Sequence, residues 1–270
     1  MNISGPLKKI GVGPLAMLER WFGTGAQLIG LTVIMFVRTL KFIVRGEIDW
    51  WECVRQANII GVNSFVVVGI TALFTGFAMS LQISRELMAF GGDTAIGGVV
   101  ALALIREIGP ITAGVMVAGR VGSAIAAELT TMMITEQIDA LKVMRIDPVQ
   151  FLVVPRYVAA MWMMPVLSVY AMFIGLFAGI EIAHAAANLP PETFLDSVKQ
   201  KILDRDFTVH FVKSWINATI VIMFSCAIGL STRGGAEDVG LATTRAIVWT
   251  MTVIFIANYI VTALTYSPRP

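Results

Sequence analysis

Residues 157–180 read YVAAMWMMPVLSVYAMFIGLFAGI, 24 positions without a single charge. A bilayer core about 30 Å thick is crossed by about 20 apolar residues in a helix. Lipid cannot satisfy open backbone groups, so such a run reads as a spanning helix rather than a strand or loop. Three further stretches share the pattern: Ile59–Leu81, Ser214–Thr232 and Ala246–Tyr266. A fifth, Gly97–Gly119, has the length but carries Arg106 and Glu107 near its middle. The expected fold is therefore an all-α integral membrane protein with five transmembrane helices. Trp21–Val37 is shorter, at 17 residues, holds three glycines and leads into Arg38, Lys41 and Arg45. That combination predicts a helix lying in the membrane interface. Residues 1–58 then form N-terminal interfacial and elbow helices, and residues 59–270 form the five-helix transmembrane domain.

Composition agrees. Of 270 residues, 57% are hydrophobic and 14% charged, and mean hydropathy is +0.79. A soluble domain carries about a quarter charged residues, so this chain lacks the polar surface to meet water all round. Met1 to Gly13 shows no apolar core ending in a cleavage site, hence no signal peptide is expected. A net charge of +2 gives no basis for a nucleic-acid partner. Cys53 and Cys226 lie in different segments and make neither a disulfide framework nor a zinc pattern. Basic residues set the orientation. With five spans, thirteen Lys/Arg fall on the side of the N-terminus and six on the other, with Arg106 left inside the membrane. The N-terminus is expected in the cytoplasm and the C-terminus outside. The polar break Asn188–Lys213 is then external, with Phe194, Leu195, Val198 and Ile202 at helical spacing.

Signals of a soluble enzyme are missing. Only Lys213 is followed by Ser or Thr, and Val212 precedes it where a phosphate-binding P-loop needs glycine. His184 and His210 fall near the external surface with no partner spacing for a metal. The informative run is Arg106-Glu107-Ile108-Gly109-Pro110, Gly119-Arg120-Val121-Gly122-Ser123, Glu128, Thr135-Glu136-Gln137-Ile138-Asp139-Ala140-Leu141, Asp147-Pro148 and Pro155-Arg156. A charge at membrane depth costs about 2.5–3.5 kcal/mol. Neighbours at i and i+1 point in different directions on a helix, so Arg106 and Glu107 are expected to meet a polar cavity or another segment rather than each other. Gly114, Ala118, Gly122 and Ala126, spaced by four, predict a smooth face for close helix contact. Glu128 to Pro148 is polar and helix-forming, either solvated surface or a handle for a cytoplasmic partner.

The run from Arg106 to Arg156, with Gly240-Leu241-Ala242-Thr243-Thr244-Arg245-Ala246 and the closing Thr262-Ala263-Leu264, resembles the MlaE family, permeases of the Mla and related Mce-type lipid transporters. The resemblance covers about Ile59 to the end. It implies five transmembrane helices preceded by an interfacial helix, in a homodimer in the bacterial inner membrane. It implies a coupling helix between the second and third spans, with Glu128, Thr135, Glu136, Gln137, Asp139 and Leu141 facing a cytoplasmic ABC ATPase. ATP would be hydrolysed on that separate chain, with no cofactor in this one. Outside the membrane it implies an Mce-domain protein of the MlaD type, and among accessory chains a STAS-domain subunit of the MlaB type. Phospholipid is the implied cargo. Arg106 and Glu107 would line its pocket, the acyl tails would lie against Phe65, Val68, Leu73 and Phe77, and Lys213 and Arg245 would be further basic positions. Removing Arg106 is expected to cost lipid but not the fold. The competing reading is an ATP-independent channel or secondary transporter for a small solute. Such carriers carry paired broken helices in internal repeats, and the sequence has one Gly-Pro-interrupted segment without a second copy.

Overall fold

A computed structural model describes residues 14–266. The expectation of no signal peptide at Met1–Gly13, and Arg269 in the charge count, lie outside the described residues. Helix α1 (Pro14–Val44) is followed by α2 (Trp50–Ala57), which runs through a π-helical turn, Asn58–Val62, into α3 (Asn63–Ala89). The boundary drawn at residue 58 falls at that turn. A second continuous rod comprises α4 (Ile96–Ala103), the π-turn Leu104–Ile108, α5 (Gly109–Val117), the π-turn Ala118–Gly122 and α6 (Ser123–Ile134). Short α7 (Gln137–Val143) leads to α8 (Val154–Ala187), α9 (Pro191–Lys201), α10 (Asp204–Ser231) and α11 (Ala236–Tyr266). Among the described residues there is no strand.

Among the described residues, six helices are long and apolar enough to cross a membrane: Gly25–Val44, Trp50–Ala89, Asp93–Ile134, Val149–Ala187, Asp204–Ser231 and Ala236–Tyr266. The sequence reading counted five and held Trp21–Val37 too short. In the structure the helix runs on past Arg38 and Lys41 to Val44, because neither residue breaks a helix, and this makes the difference. Arg38 is tied to Asp147 at 2.7 Å, while Gly25 packs against the Trp249 ring of α11. The thirteen helical steps from Gly25 to Arg38 advance about 20 Å. One end of the bundle carries short α7 and the other short α9, giving it an α7 side and an α9 side.

Small residues set the packing. A Cβ on Gly76 would lie 2.4 Å from the Gly175 carbonyl oxygen, so α3 and α8 meet backbone to backbone. The same seam holds a hydrogen bond from Ser80 Oγ to the Gly179 carbonyl at 2.7 Å. The four-spaced face of Gly114, Ala118, Gly122 and Ala126 is buried and packs as expected against a neighbour, α10. A Cβ at Gly114 would sit 3.0 Å from Asn217 Nδ2, and one at Gly122 2.8 Å from Ser225 Oγ. Helix α10 is the centre of the bundle, with Ala218, Val221, Ile222 and Cys226 fully buried. On the α9 side, Phe194 is buried at 1% exposure, its backbone carbonyl seated over Gly97.

Candidate functional site

The site begins with a local defect in the rod. In the π-turn Leu104–Ile108 the Gly109 N–H reaches back five residues to the Leu104 carbonyl. Pro110 has no N–H. The carbonyls of Ile105 and Arg106 therefore lack the donor that residue 110 would supply in a five- or four-residue register. Buried carbonyls need partners, and α10 provides them. His210 Nδ1 lies 2.8 Å from the Ile105 oxygen, which can only accept, so Nδ1 carries the proton. Lys213 Nζ donates to the Arg106 oxygen at 2.6 Å, and Asn217 Nδ2 to the Pro110 oxygen at 2.9 Å. His210 Nε2 is then free to accept from Ser168 Oγ of α8, 3.0 Å away.

Two ion pairs are built on this scaffold. Arg106 Nε meets Asp206 Oδ1 at 2.7 Å, and its guanidinium lies 4.2 Å from the Tyr266 ring centroid. The Tyr266 hydroxyl donates to Asp206 Oδ1 at 2.7 Å, and the Leu203 N–H to Oδ2 at 3.1 Å. Glu107 Oε1 meets Lys213 Nζ at 2.8 Å and accepts from Thr262 Oγ1 at 2.6 Å. Adjacent charges on the rod thus take different partners, as their directions on a helix require. Each pair has one closed and one open half. The Asp206 and Lys213 side chains are 0% exposed, whereas Arg106 is 29% and Glu107 36% exposed. With only Nε engaged by an ion pair, Arg106 keeps its terminal N–H groups for an anionic group arriving from the open side.

The cluster is not at mid-span, where the sequence reading put Arg106 and Glu107. Residues 93–134 form one rod of 42 residues, about 60 Å long and twice the hydrocarbon thickness. Arg106 pairs with the third residue of α10 and stacks on the last residue of α11, so it lies at the α9-side ends of both. Nor are these two the only charges inside a spanning helix. Lys213, read as bordering the external loop, is the tenth residue of α10 and buried, and Asp206 is buried as well. His210, read as near a surface, is fully buried.

Other expected residues fall elsewhere. Arg245 is exposed near the α7-side end of α11, away from the cluster. Val68 is fully buried in the core and offers no surface to a ligand. Phe65 stacks on Tyr170 with centroids 3.7 Å apart. Leu73 and Phe77 are half-buried, and Phe77 meets Phe74 edge to face. Glu128 does not share a helix with Glu136 and Asp139. The chain turns at Thr135 and Glu136, the latter with φ of 58°. Glu128 instead lies on α6 and pairs with the buried Arg156 at 2.8 Å. Within α7, Ile138 and Leu141 point into the core, while Gln137 and Asp139 are exposed, as is Glu136 just before it. The Lys142 ammonium, 2.7 Å away, holds the Asp139 carboxyl below its usual range.

Sequence reasoning missed Asp206 and Tyr266 and the roles of His210 and Thr262. Their signal was legible. Asp206, His210, Lys213 and Asn217 recur at i, i+4, i+7 and i+11, and Asn258, Thr262 and Tyr266 at i, i+4 and i+8, each set one helical stripe. Reading Asn188–Lys213 as loop cut the first stripe short. Among the described residues no three His, Cys, Asp or Glu gather as for a metal ion.

The family described as Permease MlaE matches residues 53–264. A probable ABC transporter permease protein of Synechocystis is 38% identical over 250 residues, 93% of this chain and 94% of that one. A probable ABC transporter permease protein of Rickettsia typhi is 36% identical over 242 residues, 90% of this chain and 93% of its own. Protein TRIGALACTOSYLDIACYLGLYCEROL 1, chloroplastic, of Arabidopsis thaliana is 33% identical over 247 residues, 92% of this chain and 69% of its own. With the family match spanning most of its length, this chain belongs to the MlaE permease family.

Proposed function

We propose that this chain is the permease subunit of an ATP-driven ABC transporter that moves phospholipid or a related lipid between the inner membrane and an extracytoplasmic Mce-domain partner. The carrying observation is the pair of half-open ion pairs at Arg106–Asp206 and Glu107–Lys213, set beside apolar membrane-facing helices. A phospholipid combines a charged headgroup with apolar chains, and that surface offers a match to each. The Arabidopsis relative bears the name of a diacylglycerol lipid, which supports the class of cargo. In this reading the protein is a multi-pass chain of the bacterial inner membrane with its α7 side in the cytoplasm. Arg38, Arg55, Lys142, Arg145 and Arg233 on that side follow the positive-inside preference. Helix α1 precedes five further spans, its Arg38 end tied to the Asp147 turn. Two copies form the permease core, ATP is bound by a separate cytoplasmic ATPase, and a STAS-domain subunit completes the complex. This chain holds no cofactor of its own.

The test is functional separation. The purified chain alone should hydrolyse no ATP, and lipid transfer to an Mce-domain acceptor in proteoliposomes should require the ATPase. Robust hydrolysis by the pure chain, or transfer that ignores ATP, would overturn the reading, the second in favour of an ATP-independent carrier.

Helix α7 is assigned as the coupling helix, through exposed Glu136, Gln137 and Asp139 with Thr135 at the turn. Leu141 supports it from inside the core, and Glu128 anchors α6 to Arg156 behind it. Replacing Glu136 and Asp139 together by lysine should abolish co-purification of the ATPase, or weaken it by about tenfold or more, since reversed charges facing a complementary surface cost several kcal/mol. Membrane insertion should be unchanged. Normal stoichiometry in the double variant would make α7 ordinary surface.

A further inference from the structure

The motif Gly119-Arg120-Val121-Gly122-Ser123 takes no part in the cluster above, yet its placement copies it. Arg120 lies on the π-turn Ala118–Gly122, as Arg106 and Glu107 lie on the π-turn Leu104–Ile108. A π-turn adds a residue to the helix and redirects the side chains around it, and such turns gather at functional sites. The rod thus carries its two arginines on its two π-turns.

Arg120 also lacks the compensation given to Arg106. It is exposed, and its contact is a hydrogen bond from Nη1 to Ser64 Oγ of α3 at 3.2 Å. Among the described residues no carboxylate comes within ion-pair distance of it. Glu128, paired with Arg156, is eight residues further along the rod, about 12 Å. On the other side Glu107 is thirteen residues away, about 20 Å. A serine hydroxyl does not neutralise a guanidinium.

Between the two charged levels the rod presents one continuous strip. Glu107, Ile111, Val115 and Gly119 follow at four-residue spacing and are half-exposed, and Arg120 ends the run. Helices α3 and α11 border it. On α3, Thr71 Oγ1 reaches Met116 Sδ at 3.4 Å, and Ser64 receives Arg120. On α11, Thr262 holds Glu107, and the Met251 methyl would stand 3.6 Å from a Cβ at Gly119. The strip is apolar in the middle and charged at each end.

We infer that Arg120 is a second phosphate-binding station, taking the headgroup phosphate of a phospholipid at the α7-side end of this strip while acyl chains lie along Ile111 and Val115. A guanidinium grips phosphate through two parallel hydrogen bonds, and the phosphate supplies the negative charge that the fold withholds from Arg120. The inference rests on the lipid reading given above and adds a place for cargo about 20 Å from the first cluster.

The experiment uses the assembled transporter in nanodiscs, with a photoreactive group introduced at Val67, an exposed position on α3. Capture of phosphatidylglycerol is compared with that of diacylglycerol bearing the same chains. Arg120→Gln should lower phosphatidylglycerol capture by about tenfold or more, the worth of one charge-assisted hydrogen bond, and leave diacylglycerol capture unchanged. Arg120→Lys should recover part of the loss, and Ser64→Ala should show none. Equal capture of phosphatidylglycerol by Arg120→Gln overturns the station. So does parallel loss of both lipids, or a Ser64→Ala variant that copies Arg120→Gln, since each marks Arg120 as a tether to α3. If the unsubstituted protein captures neither lipid, it is the lipid reading itself that fails.

Discussion

Replacing Glu107 by alanine should destabilise the protein by about 3–5 kcal/mol, the cost of leaving a buried charge without its partner. The reason lies in which half of the pair is closed. Lys213 has no exposed side-chain surface, whereas Glu107 is 36% exposed. Without Glu107 the ammonium keeps only the Arg106 carbonyl and Thr262 hydroxyl as acceptors. Lys213→Met is the informative contrast. It removes the buried charge with the ammonium, keeps the stem, and leaves Glu107 able to turn toward the open side. Its cost should be that of one orphaned carbonyl, about 1–3 kcal/mol, because Pro110 cannot serve Arg106. Unfolding of both variants in detergent, followed by denaturant or heat, checks the order. A Glu107→Ala protein as stable as Lys213→Met would mean that water already reaches the ammonium.

The same asymmetry explains what the sequence disclosed and what it concealed. The spans were legible because hydrocarbon length and the absence of charge are local properties, and Tyr157–Ile180 falls inside α8 as read. The close face at Gly114, Ala118, Gly122 and Ala126 was legible because small residues at four-residue spacing face one neighbour. The ends of helices were not. Lys213 and Asp206 sit in DRDFTVHFVK, which is too polar to read as a span, but there α10 extends through its own polar stripe to meet the rod. Hydropathy averages over all faces of a helix and so hides a stripe that is satisfied by a neighbour. The pairing of Arg106 with Asp206 joins residues 100 apart, and no local rule connects them. The placing of Glu128 on one helix with Glu136 and Asp139 failed for another reason. Glu136 adopts a left-handed backbone, which non-glycine residues visit seldom, so the break between α6 and α7 left no glycine or proline to announce it.

Arg106→Ala should separate stability from lipid binding, provided that Asp206 is changed with it. The sequence reading expected this variant to lose lipid and keep its fold. The structure changes that expectation, because the partner left behind is a fully buried carboxylate. Asp206 would retain the Tyr266 hydroxyl and the Leu203 N–H but lose its cation, at about 3–5 kcal/mol for a buried charge left without its partner. Asp206→Asn removes the charge and keeps the shape, and Arg106 is open enough to take up water, so this single change should cost less. The two residues touch, so their effects should not add. Arg106→Ala with Asp206→Asn should recover most of the stability lost in Arg106→Ala. Lipid should behave differently. If Arg106 offers its terminal N–H groups to a phosphate, Asp206→Asn keeps its lipid, while Arg106→Ala and the double variant both lose it, by about tenfold. Phospholipid bound per purified protein, by mass spectrometry beside the unfolding midpoint, measures both quantities on the same samples. A double variant that regains lipid together with stability would show that Arg106 served only to neutralise Asp206, and the open side of the cluster would then not be where the headgroup sits.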